Sequence, residues 1–330
     1  MQGVADMQAG VFADIEGSFG IWRMRQCRMG TREWQYGRSC LTSDVNSVIC
    51  GAFDGGATGL LVKDTHEVGF NCLIKELDSR ARYLGGHYVK PSLFGNITDL
   101  QLVLYVAIHA ASGTPDSFFP HTHYGVFSEL RVNGKPVSEM HLYGGYLGEL
   151  GIPIGFVSGE AVAVEQALQA IPWAKSVVVR KDKEAYTSGE ESLRYLEEGR
   201  SRLRAGAREA VQCMKDMKPL VFEAPLHFEA EFRTEELACK FNTWGFPRKG
   251  NTVSWDAASM IEGFDKLNRL VFMPRHYYPV RRPLAFMRRN YYRVKNTCFA
   301  PDPDPEGAAW LPVAHPVAMQ HDAGKQEAPG

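Results

Sequence analysis

Short apolar runs alternate along this chain with longer stretches of helical periodicity, and that alternation is typical of a layered α/β fold. The predicted strands are residues 11–13, 60–62, 100–108, 127–132, 152–157, 176–179 and 220–232. The predicted helices are residues 41–53, 139–149, 159–171, 192–214 and 254–270. We therefore expect an α/β/α architecture around a mostly parallel central sheet, followed by a C-terminal extension.

The strand and helix pattern covers residues 10–273, and we predict a single folded domain there, preceded by a flexible N-terminus at residues 1–9. Residues 21–38 are basic, contain Trp22 and Trp34, and lack clear periodicity, so we predict an insertion. Residues 274–330 form the extension. Its first part is dense in Arg and Tyr, whereas the composition of its last ~30 residues predicts disorder.

The overall composition excludes several classes of protein. The 330 residues are 45% hydrophobic and 23% charged, as in a globular protein. A formal net charge of −1 provides no general attraction to nucleic acid or to acidic membranes. The longest apolar run, residues 100–111, is shorter than the roughly 20 residues of a membrane-spanning helix. We expect neither a membrane nor a nucleic acid as partner.

Seven cysteines are scattered along the chain without a CxxC pair. An odd number without paired spacing argues against a disulfide framework or a structural zinc knuckle, and favours free thiols in a reducing compartment. The N-terminal residues also lack the basic and apolar regions of a secretory signal. We therefore predict a cytoplasmic protein.

Acidic and imidazole side chains follow the first three predicted strands. Asp14 and Glu16 come after the first strand, His66 after the second, and His109 after the third. Side chains alternate along an extended backbone, so Asp14 and Glu16 are expected to point the same way. The carboxyl ends of parallel strands meet at one edge of a sheet, where ligands bind. Each residue alone is also explained as a helix cap or a hydrogen-bonded structural histidine.

Carboxylates mixed with imidazoles suit divalent metals of the zinc class, including two ions that share a carboxylate. The chain resembles the dipeptide-operon D-aminopeptidase (DppA) family of zinc metallopeptidases over about residues 10–273. The segments that carry this resemblance are DIEG at 14–17, KDTH at 63–66, HA at 109–110, the loop at 114–122, VNGKPVSE at 132–139, GE at 159–160 and a predicted helix at 255–270. Their order and approximate spacing agree with the family across the whole set.

The resemblance implies a metal-dependent aminopeptidase that hydrolyses N-terminal D-amino acids from short peptides through a metal-activated water. It implies Zn²⁺, two ions per subunit, within a catalytic domain at residues 10–273, and a homo-oligomer built as a decameric ring. The implied metal ligands are Asp14, Glu16, His66, His109 and Glu139. Asp14 matches the carboxylate that bridges both metals, and His121 matches a catalytic histidine that the family description calls a nucleophile. We favour a proton shuttle for His121, because an imidazole beside the metals can move a proton between water and the leaving amine.

Other interpretations remain open at this stage. Lys63 departs from the family pattern, in which Asn is usual, so an amidohydrolase acting on another small amide with the same metal site is one alternative. A non-catalytic binding protein that uses the Arg- and Tyr-rich residues 275–295 is another, although such a segment also suits a strap packed on a neighbouring subunit. We predict that His123 faces solvent and that Glu160 is a helix N-cap.

Overall fold

The helices and strands alternate as the sequence predicts, in a computed structural model that describes residues 6–88 and 93–297. The strands are β1 (Gln8–Ala13), β2 (Gly59–Asp64), β3 (Ala81–Leu84), β4 (Leu102–Ile108), β5 (Phe127–Val132), β6 (Lys135–Pro136), β7 (Ile154–Gly159), β8 (Lys175–Val178), β9 (Leu226–Phe232), β10 (Arg248–Lys249) and β11 (Thr252–Ala257). The α-helices are α1 (Arg32–Asp54), α2 (Glu139–Glu149), α3 (Ala161–Ala170), α4 (Glu184–Thr187), α5 (Glu190–Gln212), α6 (Glu235–Phe241), α7 (Met260–Phe272) and α8 (Arg281–Thr297).

A parallel six-stranded sheet with the order β3-β2-β1-β4-β7-β8 forms the centre of the fold. Both of its faces are covered, which explains why its inner strands are continuous apolar runs. In β1, Val11 and Ala13 pack into the core formed with α1 and α5, whereas Phe12 packs into the core on the opposite face. The predicted α/β/α layers and mostly parallel sheet are thus confirmed.

A second, antiparallel sheet with the order β10-β11-β9-β5-β6 contributes to the core that contains Phe12, together with α2, α3 and α7. The sequence prediction of one helix over residues 254–270 is wrong at its start. Val253 and Trp255 alternate with more exposed neighbours and pack inward, so this segment is a strand. The helix begins only after Ser259, whose side chain accepts a hydrogen bond from the amide of Glu262.

Several predicted boundaries also move. The first strand begins at Gln8, inside the predicted flexible N-terminus. Helix α1 begins at Arg32, inside the predicted insertion at residues 21–38, because the Thr31 side chain caps its first turn. Strand β3 was not predicted, since its four residues are only partly buried and carry no apolar run. Strand β9 starts at Leu226, six residues later than predicted.

The C-terminal extension folds back onto its own chain. A 3-10 helix at Arg275–Val280 leads into α8, and the end of α8 is buried at Asn296. The Arg38 guanidinium donates a hydrogen bond of 2.8 Å to the carbonyl oxygen of Asn296, which fixes this end of the helix against α1. The described part of the extension is therefore a strap across its own subunit. The last ~30 residues, which are predicted to be disordered, lie outside the described residues, as do residues 1–5 of the predicted flexible N-terminus at 1–9.

Two further observations concern the environment of the fold. The six cysteines within the described residues are all unpaired, as expected from their spacing, and Cys298 lies outside these residues. No helix between residues 6 and 297, as far as the structure describes them, combines the length and apolar character needed to cross a bilayer.

Candidate metal centre

The candidate site lies at the edge of the parallel sheet where the strand order reverses. From β1 the chain continues to its neighbour β2 on one side, whereas β4, the neighbour on the other side, is followed in the sheet by β7. Crevices at such a reversal are the usual ligand sites of open α/β sheets. Asp14 follows β1 directly, His109 follows β4 directly, and His66 lies two residues after β2. The three predicted strand ends therefore meet.

The first acidic pair converges because the backbone turns. Asp14 Oδ1 and Glu16 Oε1 lie 3.0 and 3.2 Å from Nδ1 of His66. The backbone is not extended here, since the amide of Ser18 donates to the carbonyl of Ile15 at 3.1 Å. The two carboxylates thus lie together, as predicted, but the predicted reason, side-chain alternation along a strand, is wrong.

This turn is tightly packed against β4. The amide of Gly17 donates to the carbonyl of Ala107 at 2.9 Å. A Cβ atom on Gly17 would lie 2.4 Å from the Ala107 carbonyl carbon and from the Ile108 oxygen, so only glycine fits without displacing the backbone. The absence of a side chain at Gly17 is therefore what allows the Asp14–Glu16 turn to approach the end of β4.

A bulge in β4 directs His109 into the site. Between Tyr105 and Ile108 the register against β7 shifts by one residue, and Ala107 adopts the left-handed region with φ of 65°. Such a bulge changes the direction of the following side chains. The Nε2 atom of His109 consequently lies 3.3 Å from Asp14 Oδ2 and 3.3 Å from Glu139 Oε1.

Glu139 enters the site from the first turn of α2. Its Oε2 accepts a hydrogen bond from the Tyr143 hydroxyl at 3.0 Å, and its Oε1 accepts one from the His123 amide at 2.8 Å. The ring of His121 stacks on the ring of His109, with centroids 3.9 Å apart and planes 5° apart. His121 Nε2 lies 3.8 Å from Glu139 Oε1. All six residues singled out from the sequence are thus brought together.

Several buried atoms of this cluster lack the partners that their chemistry requires. Among the described residues, neither carboxylate oxygen of Glu16 makes a hydrogen bond, and neither does Nε2 of His109. The other ring nitrogen of His109, Nδ1, lies 3.1 Å from the carbonyl oxygen of Ala110, so Nδ1 carries a proton and Nε2 is the ring atom that can bind a metal in place of a second proton. Buried polar atoms that make no hydrogen bond are unfavourable, and a cation placed between them satisfies them. The residues therefore fit a metal ion.

The charges of the cluster also suit a cation. Burial opposes charge here, but the Glu16 carboxylate and Asp14 outweigh it and raise the pKa of His66 well above its usual value. At Glu139, burial raises the carboxyl pKa, but the neighbouring His109 imidazole outweighs burial and lowers this pKa to about 2. The carboxylates of Asp14 and Glu139 thus remain ionised and favour positive charge between them, where a metal competes with protons.

The ligand atoms fall into two overlapping groups. Within each group the candidate ligand atoms lie within 4.8 Å of one another; one group is Asp14, Glu16 and His109, and the other is His109, His121 and Glu139. His66 adjoins the first group through Nδ1, while its Nε2 hydrogen bonds to the carbonyl oxygen of Cys27 at 2.9 Å. A hydrogen bond from the second ring nitrogen is how metal-ligating histidines are commonly oriented.

A pocket with a volume of about 390 Å³ opens onto the cluster. The predicted insertion contributes Met29 to its wall, and the loop after β3 contributes His87. The C-terminal strap contributes Arg288 and Tyr292, which sequence reasoning did not place near the site. Their position depends on how α8 docks, a tertiary contact for which the local sequence carries no signal.

Two neighbouring residues differ from their predicted roles. His123 does not face solvent, because its ring packs against Phe264 and Phe272 at centroid distances of 5.2 and 5.0 Å. Glu160 occupies the N-cap position of α3 but makes no capping hydrogen bond. Its carboxylate instead accepts hydrogen bonds from the amides of Ala110 at 3.1 Å and Phe118 at 2.6 Å, and so holds the loop that carries His121. The sequence signal for this role of Glu160 was its position as an acidic residue directly after β7, the strand next to β4.

Lys63 lies beneath the pocket wall and is fully buried. Its ammonium donates to the carbonyl oxygens of Leu84 and Gly86 and lies 5.6 Å from the ring centroid of Tyr88. Lys63, the residue that departs from the family pattern, therefore supports the loop that leads to His87.

Comparisons with known proteins identify the family of this chain. A model of the D-aminopeptidase family, peptidase family M55, matches residues 7–268. A D-aminopeptidase of Bacillus subtilis (strain 168) is 29% identical over 170 residues, which are 51% of this chain and 61% of that protein; the match thus spans about three fifths of the curated relative.

Among solved structures, the chain is similar to the Zn-dependent D-aminopeptidase DppA from Bacillus subtilis, described as a self-compartmentalizing protease. The TM-score is 0.71 at 25% identity, and the alignment covers 80% of this chain and 96% of that one. The residues matched by the family model include every residue of the candidate centre. The chain belongs to the D-aminopeptidase family of peptidases.

Proposed function

We propose that this protein is a zinc-dependent aminopeptidase that removes N-terminal D-amino acids from short peptides. The observation that carries this proposal is the buried cluster at the ends of β1, β2 and β4. In this cluster the two carboxylate oxygens of Glu16 and Nε2 of His109 make no hydrogen bond within the described residues. Family membership and the similarity to D-aminopeptidase from Bacillus subtilis, in sequence and in structure, support the same activity.

In this proposal five residues would hold two zinc ions. The ligands are Asp14, Glu16, His66, His109 and Glu139. Asp14 would serve beside both histidine ligands, since its Oδ1 lies 3.0 Å from Nδ1 of His66 and its Oδ2 lies 3.3 Å from Nε2 of His109. When bound, zinc polarises a carbonyl group and lowers the pKa of a coordinated water. Tyr143 and the His123 amide hold the Glu139 carboxylate in place through their hydrogen bonds.

His121 has the position of a proton shuttle. Its Nδ1 lies 3.1 Å from the carbonyl oxygen of Phe119, so Nδ1 carries the proton and Nε2 faces Glu139 with a lone pair. An imidazole with a free lone pair at the pocket wall can accept a proton from water and return it to the leaving amine. Stacking on His109 fixes the plane of the ring during both transfers.

The test combines metal content with stereochemistry. Protein purified without chelator is expected to contain zinc by mass spectrometry, and to hydrolyse D-Ala p-nitroanilide and D-Ala dipeptides faster than their L counterparts. His121→Asn is expected to lower kcat by about 100-fold or more with unchanged zinc content. His227→Asn, which alters an exposed histidine paired with Asp256, serves as control and is expected to retain activity.

Two results would overturn the proposal: protein without divalent metal that cannot be loaded with zinc, or zinc-loaded protein without activity on any of these amides. Activity confined to other small amides would instead establish the amidohydrolase alternative. A separate binding function for the basic aromatic segment is not favoured, because α8 lines the pocket of the metal centre.

Assembly and location follow the same relatives. We propose a homo-oligomer in the cytoplasm, supported by the self-compartmentalizing description of the solved neighbour and by the unpaired cysteines. A ring of ten subunits stays a prediction. Light scattering after gel filtration measures the subunit number, and a monomer at micromolar concentration would contradict it.

A further inference from the structure

Among residues 6–88 and 93–297, one guanidinium lines the pocket of the metal centre, that of Arg288. Around the cluster the charged wall is acidic, with Asp14, Glu16 and Glu139 among the lining residues. Arg288, which lies on α8, is the only arginine among the described residues that line this pocket, and none of these residues is a lysine. The candidate metal ligands and the Arg288 guanidinium therefore line the same pocket.

Helix α8 is held in place by residues other than Arg288. Next to it, Arg289 lies 4.3 Å from the ring centroid of Tyr88 and its aliphatic stem packs over Gly86. At the end of the helix, Asn296 accepts the hydrogen bond from Arg38. These contacts hold the helix without an ion pair of Arg288, whose guanidinium lies 5.8 Å from the ring centroid of Tyr292, another lining residue of the pocket.

The charge of Arg288 is not neutralised within the described chain. No carboxylate among residues 6–88 and 93–297 forms an ion pair with it, although the same structure pairs Arg25, Arg204 and Arg248 with acidic residues. The side chain is exposed, and α8 itself contains no acidic residue. A guanidinium that is docked beside a pocket without a counterion suits a carboxylate, which it binds through two parallel hydrogen bonds.

We propose that Arg288 binds the C-terminal carboxylate of a short peptide substrate and so selects free di- and tripeptides over longer or amidated ones. This inference rests on the proposed aminopeptidase function, in which the metal centre holds the N-terminal end of the same peptide. The volume of about 390 Å³ lies at the lower end of the range of ligand pockets, as a small peptide requires. Residue 288 lies beyond the family match at 7–268, so this recognition would be specific to chains with such an extension.

The test compares D-Ala-D-Ala with its C-terminal amide in the zinc-loaded full chain. We expect kcat/KM to favour the free acid by about 10- to 100-fold, mainly through KM, because a hydrogen-bonded charge pair made before the transition state acts on binding. Arg288→Met is expected to bring this ratio close to one. Arg288→Lys, which keeps the charge without the two-pronged geometry, is expected to give an intermediate ratio. Arg293→Met, an exposed arginine of the same helix, is the matched control and should keep the wild-type ratio.

A binding measurement separates this inference from the proposed activity. Isothermal titration with D-Ala-D-Ala in which the peptide bond is reduced to CH₂–NH, and with the amide of that compound, reports recognition without hydrolysis. Tighter binding of the acid that is lost in Arg288→Met supports the carboxylate site even if no peptide is cleaved. A wild-type protein that does not distinguish acid from amide, or an Arg288→Met protein that still does, would overturn the inference.

Discussion

Replacing Lys63 by Met should change how the stability of this protein depends on pH. The ammonium is fully buried, and burial, reinforced by the charge of Arg289 and opposed by Asp64, lowers its pKa from 10.5 to about 7. At 1.36 kcal/mol per pKa unit, the folded protein therefore bears a penalty of about 5 kcal/mol when Lys63 is charged. Between pH 7 and 10.5 the unfolded chain binds more protons at this residue, so its contribution to stability rises with pH.

The comparison with Lys63→Met isolates this contribution, because other titrating groups are common to both proteins. From pH 7 to 9.5 the free energy of unfolding of the wild type should rise by about 3 kcal/mol relative to the variant. Urea denaturation followed by tryptophan fluorescence measures it at each pH. Lys218→Met, at an exposed position, is the control and should show no such trend. A difference between wild type and Lys63→Met that stays constant over this pH range would refute the reasoning.

Three further predictions concern the metal centre. Glu16→Gln should weaken zinc binding by at least ~100-fold in a chelator competition, whereas an unchanged affinity would remove Glu16 from the ligand set. Gly17→Ala, whose Cβ would lie 2.4 Å from the β4 backbone, should lower Tm by several degrees, about 2–4 °C per kcal/mol, while Gly125→Ala, with open space around it, should not. Glu160→Gln should speed hydrogen exchange at the Phe118 amide and lower kcat with zinc content retained; unaltered exchange would contradict its role in holding the loop.

The sequence was most informative where local and tertiary preferences coincide. The predicted helix at residues 139–149 matches α2, and the strand at residues 127–132 matches β5. The turn after β5 is also where Asn133 and Gly134 predicted it, since both adopt positive φ, which these residue types tolerate best. The meeting of Asp14, His66 and His109 followed from the rule that parallel strands end at one edge.

The rest depended on contacts between distant parts of the chain. The turn at Asp14 and Glu16 forms against β4, which comes about ninety residues later, so periodicity near residue 14 could not reveal it. The docking of α8 rests on a hydrogen bond between Arg38 and Asn296, 258 residues apart. The prediction assigned residues 254–257 to the helix that follows them, because the helical pattern of that helix is strong. In the structure these residues form the end of a strand, which stops at Ala257.

Because of the bulge at Ala107, the direction of the His109 side chain depends on the number of residues in β4. Three steps along β4, from Tyr105 to Ile108, match two steps along β7, from Val157 to Gly159. Because successive side chains of a strand face opposite sides, this odd extra residue sets the side on which His109 emerges. Removing one residue here would point the imidazole away from the carboxylates without changing any ligand identity. A one-residue deletion in this short segment would thus disrupt the metal centre as completely as the loss of His109.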